Sequence, residues 1–587
     1  MSPVAHNVLY NTDLLSCIFS ELVLPVPATK SEEETRLRAD GKTLATAARV
    51  CKTFSEPALR TLWWSLPDLM PLWRLLGPLD LLTEPDVPAE LSSLPGTYVL
   101  SGSREVTPEQ WARFREYAAR VRIVRQDPQF GTSPLHYSVW QLLTYELRGV
   151  PFLPRLHTLC WNVTDPYDNT LLMIFPPTAA ALAIDFKDPY HDPLDLDEDD
   201  DDMAEDVPEK WGTPAQQKDA IARLLRTVCT NAPRLTDLTL SRYKQTVPLL
   251  RDILPLLPGL RRLDLSATSP MDVATLRALA GMNALETLTN VPIKNARIDG
   301  AFNGFPALKT LSVSGGVQDV VQLLTAIVSR LTSLAITSHH SALDWQAAFP
   351  RMESTLFTLT AFSLHINSCD TDFPDPDYMI RHNSEDVELP VFLAGLRAPL
   401  AQVQNLRLSF ENIHMPCSDR KLALVAQMFP CLTHFALVVR GDWEFPTIAS
   451  AIAFARHCPH LETLLLPILH NNSKDVLAAL RPTSPVHPAL RVLCILDMGD
   501  VKIAARDVPL LGAVLAAIFP SLDVRACAEP PRTWLHHDRD SPWVYPEADV
   551  RKLRRKRWKS GLATWKRVLQ AVASSRCTEE PQQSNLA

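Results

Sequence analysis

Residues 233–240, PRLTDLTL, and residues 258–265, PGLRRLDL, are two copies of one phrase, Pro-x-Leu-x-x-Leu-x-Leu. In that phrase the last two leucines alternate, as on a strand with one buried face. Working outward, the phrase returns as PRLHTLCW from Pro154, PALKTLSV from Pro306, PCLTHFAL from Pro430, PHLETLLL from Pro459 and PALRVLCI from Pro488. Looser copies are TAAALAI (178–184), NALETLTN (283–290), SRLTSLAI (329–336), TLTAFSLHI (358–366) and AQVQNLRL (401–408). The first apolar position of the phrase falls at 235, 260, 285, 308 and 331, steps of 25, 25, 23 and 23 residues. It falls again at 403, 432, 461 and 490, three steps of 29.

A period of 20–29 residues carrying this phrase points to leucine-rich repeats. Helical patterns fill the intervals: Ile221, Leu224, Leu225 and Val228 share one face, as do Leu323, Leu324, Ile327 and Val328. One strand plus one helix cannot cover its own apolar face, but stacked on its neighbours it builds a continuous core. Each leucine buried in this way contributes roughly 1.5–3 kcal/mol. The expected fold is therefore an α/β solenoid: a small N-terminal helical domain followed by a curved horseshoe, with strands concave and helices convex. A doubly wound α/β domain is the alternative, but it needs glycine-rich strand-to-helix turns that this chain does not show.

The expected organisation is a helical domain over 1–75, then a helical linker with first irregular repeats over 76–153. The solenoid follows over 154–525, and a tail with a basic amphipathic helix over 526–587. Two segments interrupt the rhythm, 187–212 and 367–395; both are rich in Asp and Pro and read as exposed loops. Across 587 residues, Pro numbers 49 and Gly only 18, which favours stiff connections over glycine-rich phosphate loops. The net charge of −8 hides two opposed blocks: ten Asp or Glu within 192–206, and ten Lys or Arg with no acid within 551–576. Eleven cysteines stand singly with no C-x-x-C pair, which reads as reduced thiols in a cytosolic or nuclear protein and removes the spacing of a RING-type zinc site. The N-terminus lacks a basic stretch followed by an apolar run, so no secretory signal is expected.

Two apolar patterns precede the repeats. TDLLSCIFSEL (12–22) has Thr12 or Asp13 as candidate N-cap and Leu14, Leu15, Ile18, Phe19 and Leu22 on one face. LATAARVCKTFSEPALRTLWWSL (44–66) offers Leu44, Val50, Cys51, Phe54, Leu59, Leu62 and Trp63. The first set, with VCKTF at 50–54 and ALRTLWWSL at 58–66, resembles an F-box, and specifically the fungal F-box proteins that carry leucine-rich repeats. The front departs from the family pattern, with Tyr10-Asn11 in place of Leu-Pro and a longer loop over 25–42. The resemblance implies a substrate-recruiting subunit of an SCF-type cullin ubiquitin ligase. Leu14, Leu15, Ile18, Phe19, Leu22, Val50, Cys51, Phe54, Leu59 and Trp63 would meet the adaptor subunit, and through it the cullin. The alternative is a repeat scaffold in which the same residues form an N-terminal cap.

Residues between the leucines of the phrase should face the groove. In the middle repeats these are polar: Asp237, Thr239, Arg262, Asp264, Thr310 and Ser312. In the late repeats they turn apolar, with Ala436, Val438, Leu465, Val492, Cys494 and Leu496. Such a strip is either a site for a protein substrate or a surface covered by the C-terminal tail, whose Trp534, Trp543 and Tyr545 supply material for it. The basic patch Arg551, Lys552, Arg554, Arg555, Lys556, Arg557 and Lys559 leads into Trp558, Leu562, Trp565, Leu569 and Val572 at helical spacing. This fits a helix sealing the last repeat, a nuclear-import signal, or an anion-binding segment. No hydrolase, zincin, Walker or Rossmann motif is present, and DLDEDDDD lacks the glycine turn and terminal Glu of a calcium loop. The chain is expected to be non-catalytic, with no cofactor and no metal. Neither nucleic acid nor membrane is the expected partner, and no homo-oligomer is expected.

Overall fold

The computed structural model describes residues 11–21, 40–82, 97–100, 106–125, 137–163, 167, 169–186, 214–241, 247–266, 268–294, 304–367, 387–411, 413, 415–439, 446–468, 487, 489–497, 507–528, 563 and 565–576. Packing divides the chain into two compact units, Met1–Glu286 and Thr287–Ala587.

In the first unit, helices Thr12–Ser20, 40–47 and Lys52–Leu62 precede strand β1, Ser65–Leu66. The strands that follow are β2 (Leu79–Leu82), β3 (Thr97–Leu100), β4 (Ile123–Arg125), β5 (Thr158–Val163), β6 (Ala181–Phe186), β7 (Asp237–Ser241) and β8 (Arg262–Asp264). β2 and β3 form an antiparallel pair. The others form a parallel ladder in chain order, β1-β4-β5-β6-β7-β8. Helices such as Pro108–Ala118, Pro214–Asn231 and Val273–Ala280 connect successive strands. The first rungs close on an aromatic cluster, in which Trp73 stacks on Phe152 at 4.9 Å and meets Trp140 edge-on at 5.3 Å.

The second unit repeats the plan. β9 (Thr287–Ile293), β10 (Thr310–Gly315), β11 (Ser333–Ser338), β12 (Ala361–Asn367), β13 (Asn405–Glu411), β14 (His434–Val439), β15 (Thr463–Ile468) and β16 (Val492–Asp497) pair in parallel and in chain order. Helices Val317–Ala326, Ala342–Leu356, Leu389–Ala394, Asp419–Met428, Ile448–His457 and Val508–Ile518 connect the rungs. Both units are leucine-rich-repeat α/β solenoids, built as the phrase and its period imply.

The phrase explains the ladder. Its first apolar side chain is buried at every regular copy, for example Leu235, Leu260, Leu308, Val403 and Leu432, all at 0% exposure. The strand leucines align across rungs: Leu311 faces Leu334, Leu334 faces Phe362, Phe362 faces Leu406, and Leu406 faces Phe435. At most rungs, one carbonyl ahead of the strand accepts two amides from the next rung. Gln404 O takes Thr433 N at 2.8 Å and His434 N at 2.9 Å, and Thr332 O takes Thr360 N at 2.9 Å and Ala361 N at 3.0 Å. Where the next rung has a threonine there, its hydroxyl donates to the same carbonyl, as Thr236 to Ala180, Thr332 to Lys309, Thr360 to Thr332 and Thr433 to Gln404, at 3.1–3.2 Å.

Several sequence expectations need correction. The helix after β10 ends at Ala326, so Ile327 is its extended C-cap and Val328 is 56% exposed rather than on the apolar face. The segment 367–395 is not all loop. Asn367 closes β12, and Leu389–Ala394 is a helix with Leu389, Phe392 and Leu393 fully buried, because Pro390 occupies the first turn, where a missing N–H costs nothing. The interruption 187–212 lies outside the described residues.

Candidate functional site

The N-terminal module is built on one partition of side chains. Leu15, Phe19, Leu44 and Ala58 form its core, with Ala47, Ala48, Phe54 and Leu62 packed against them. The rings of Phe19 and Phe54 meet edge to face at 5.8 Å. Asn11, rather than Thr12 or Asp13, caps the first helix: its Oδ1 accepts from Asp13 N at 3.0 Å and Leu14 N at 3.1 Å. The departure at Tyr10-Asn11 thus supplies the cap, satisfying amides that a helix start leaves open.

The ten residues singled out by the resemblance divide in two. Leu15 and Phe19 turn inward and Phe54, Leu59 and Trp63 are half-buried. Leu14 at 44%, Ile18 at 50% and Val50 at 66% remain exposed, as does Cys51. Leu14 and Ile18 are one helical turn apart, so the first helix has a second apolar face that stands about half exposed among the described residues. Leu22 lies outside the described residues.

The module is tied to the repeats by three contacts within its unit. Trp63 lies against Tyr117 with centroids 4.5 Å apart. Arg120 Nη2 reaches Glu56 and Glu116, each at 2.8 Å, while its guanidinium sits 5.1 Å from the Tyr117 centroid. Trp64 O accepts from Arg122 N and Ile123 N, both at 3.0 Å, so the chain leaves the last helix directly into the first rung.

The late strip takes a different form from the one expected. Ala436, Leu465 and Cys494 are in register on neighbouring strands, but they form a buried cluster against Val438 and Val492, with exposures of 5%, 0% and 0%. As an open binding surface, that part of the strip is corrected: its side chains are enclosed by the chain itself. Cys494 Sγ faces Cys527 O at 3.8 Å, because the last phrase copy, PSLDVRAC (520–527), forms a short helix, Val524–Ala528, instead of a strand. Burial pushes the Cys494 thiol well up, with Cys527 adding to it. Burial also raises Cys527 to about 11, and Cys458 and Cys229 each to about 12. Such thiols stay protonated and unreactive. The side chain of Leu496, the patch from Arg551 to Lys559, and Trp534, Trp543 and Tyr545 lie outside the described residues.

The C-terminal helix over 565–576 closes the second unit. Trp565, Val568, Leu569 and Val572 are buried at 0–1% exposure. Trp565 Nε1 donates to Cys527 O at 3.2 Å, and Arg576 donates to Leu522 O and Phe519 O, both at 2.8 Å. The sealing is tight enough that Gly512 touches Ala571: a Cβ at 512 would sit 2.6 Å from Ala571 Cβ.

Among the described residues no group of three or more His, Cys, Asp or Glu is placed to hold a metal ion, and no helix is long and apolar enough to cross a membrane.

No family model matches the chain, and no curated protein does. Structural likeness is found to an internalin from Listeria monocytogenes at 12% identity, covering 64% of this chain and 75% of that one, with a TM-score of 0.29. A protein of Bacteroides fragilis matches at 14% identity over 57% of this chain and 69% of its own, TM-score 0.21. TLR13 in its complex with ssRNA13 matches at 12% identity over 69% and 70%, TM-score 0.25. At these values the likenesses carry no argument beyond themselves, and the repeat fold rests on the ladder, the register and the buried leucines.

Proposed function

We propose that this chain is a non-catalytic interaction protein that docks through its N-terminal helices on the adaptor of an SCF-type cullin ubiquitin ligase and presents a protein substrate from its repeats. The observation that carries the reading is the double-faced first helix. Leu15 and Phe19 already supply what the module needs for its own core, and Leu14 and Ile18 lie half exposed beside them. An uncovered apolar face costs free energy in water and fits a partner helix. The F-box resemblance names that partner. The ties from Glu56 to Arg120 and from Trp63 to Tyr117 suit the role, since a receptor acts by holding its target near the transfer machinery. Such a protein would work in the cytosol or the nucleus.

The same ties favour a second reading, in which the helices only cap the first repeat of a scaffold. Titration calorimetry of the whole chain with the adaptor separates the two. Binding that is lost in Leu14→Asp/Ile18→Asp, with helical content retained, supports docking. A chain that gives no heat with the adaptor at micromolar concentration leaves the cap.

A further inference from the structure

The joint between the helical module and the sheet gathers positive charge that no carboxylate among the described residues pairs with. Trp64, Arg122 and His157 each lead into a strand, and those strands are in register, with Ser65 beside Ile123 and Ile123 beside Thr158. The backbone continues the alignment: Trp64 O accepts from Arg122 N at 3.0 Å, and Arg122 O from His157 N at 2.7 Å. Neighbouring rungs lie about 4.8 Å apart. Arg60 stands one turn ahead of Trp64 on its helix, and Arg155 two residues ahead of His157. The three arginines therefore stand at neighbouring positions along the chain path through this joint, near enough that Arg155 and Arg60 act on Arg122 as like charges.

Each guanidinium is accounted for. Arg122 lies over the Trp64 ring at 5.6 Å and donates through Nη1 to Ala119 O at 2.9 Å and Val121 O at 3.2 Å. Its pKa is held down by its own burial and then by the like charges of Arg155 and Arg60. Arg60 and Arg155 are exposed, and among the described residues neither is in an ion pair. The contrast with Arg120 nearby is direct, since that residue is met by both Glu56 and Glu116. Trp64, 42% exposed, stands beside Arg122 as an apolar wall.

We propose that Arg60, Arg122 and Arg155, with Trp64, form a binding site for a phosphate-bearing anion. Guanidinium forks match phosphate oxygens in pairs, and a multiply charged group relieves the repulsion among three cations better than a monovalent ion. The phosphate comes either from a free polyphosphate or from a phospholipid headgroup. The site stands independently of the adaptor reading, because it uses none of Leu14, Ile18 or Val50.

The test titrates the full chain with sodium pyrophosphate at constant ionic strength, in parallel with co-sedimentation on phosphatidylglycerol vesicles and on phosphatidylcholine vesicles. Arg60→Gln/Arg155→Gln is the decisive variant, because neither side chain holds the fold; Arg122 also braces the 119–121 turn and is left intact. Saturable pyrophosphate binding, weakened about tenfold or more in the double variant, is the expected result. Sedimentation with phosphatidylglycerol alone, lost in the same variant, assigns the phosphate to a headgroup instead. No binding in either arm, or equal binding by wild type and variant, overturns the proposal.

Discussion

At the scale of single residues, the first helix shows how one turn of chain serves two purposes. Phe19 is 7% exposed and packed on Phe54, whereas its neighbour Ile18 is 50% exposed. Phe19→Ala should therefore cost about 3–5 kcal/mol of module stability, the range for emptying an aromatic core site. Ile18→Ala should stay within about 0.5 kcal/mol, as surface changes do. Hydrogen exchange of amides 12–20 measures both, and it reads local opening without requiring the whole chain to unfold in one step. Equal losses of protection would mean that Ile18 also belongs to the core. The sequence alone could not make this division. Periodicity places Leu14, Leu15, Ile18 and Phe19 on a common face, and a stripe that broad spans both the core contact and the exposed flank. The cap was misplaced for a related reason: Asn11, Thr12 and Asp13 are all good cap residues, and only backbone geometry chooses among them.

At the scale of elements, what was legible follows from repetition. The phrase locates strands β5 to β16 because nearly every one carries a buried apolar pair at spacing two, with leucine in at least one of the two places, and stacking rewards each copy alike. The early rungs were hidden. β1 and β4 are only two and three residues long, and their phrases, SL at 65–66 and IVR at 123–125, lack the proline and the paired leucines. The last rung was hidden too, since PSLDVRAC begins as the phrase does and then turns into the helix Val524–Ala528. Between rungs, polar latches recur that hydrophobic pattern does not reveal. Asp419 accepts from Thr447 N and Thr447 Oγ1, both at 2.7 Å, and from Ser450 Oγ, so one helix start is fastened to the next. The closing helix makes the sharpest test. Gly512→Ala places a Cβ not only against Ala571 Cβ but 2.9 Å from Ala571 C and 3.0 Å from Val572 N. Backbone cannot yield as a side-chain tip can, so the substitution should cost about 1–3 kcal/mol despite improving helix propensity. The expected readout is faster proteolysis within 565–576 and a lower melting temperature. An unchanged or raised melting temperature would show that the helix shifts freely.

At the scale of the whole molecule, the distribution of cysteines turns the functional question into a chemical one. In the second unit the inner row runs Ser312, Ala335, Ser363, Arg407, Ala436, Leu465, Cys494, from polar and half-exposed to apolar and enclosed. Burial also depresses the Arg407 guanidinium. An enclosed strip and an open groove differ in what a small thiol reagent reaches. Cys17 and Cys51 are exposed on the N-terminal module, whereas Cys229, Cys458, Cys494 and Cys527 are buried with raised pKa values. At neutral pH, maleimide labelling of the native chain read by mass spectrometry should modify Cys17 and Cys51 early and leave those four, together with buried Cys417, unmodified until denaturant is added. Fast labelling of Cys494 in the native protein would reopen the strip as a groove. Cys17 follows Leu14 by three positions and Cys51 follows Val50 directly, so both mark the face assigned to the adaptor. Adding the adaptor before the reagent should slow the two reactions together while the buried set stays silent. If the adaptor binds and both thiols still react at their original rates, docking uses another surface, and the half-exposed Leu14 and Ile18 need a different partner.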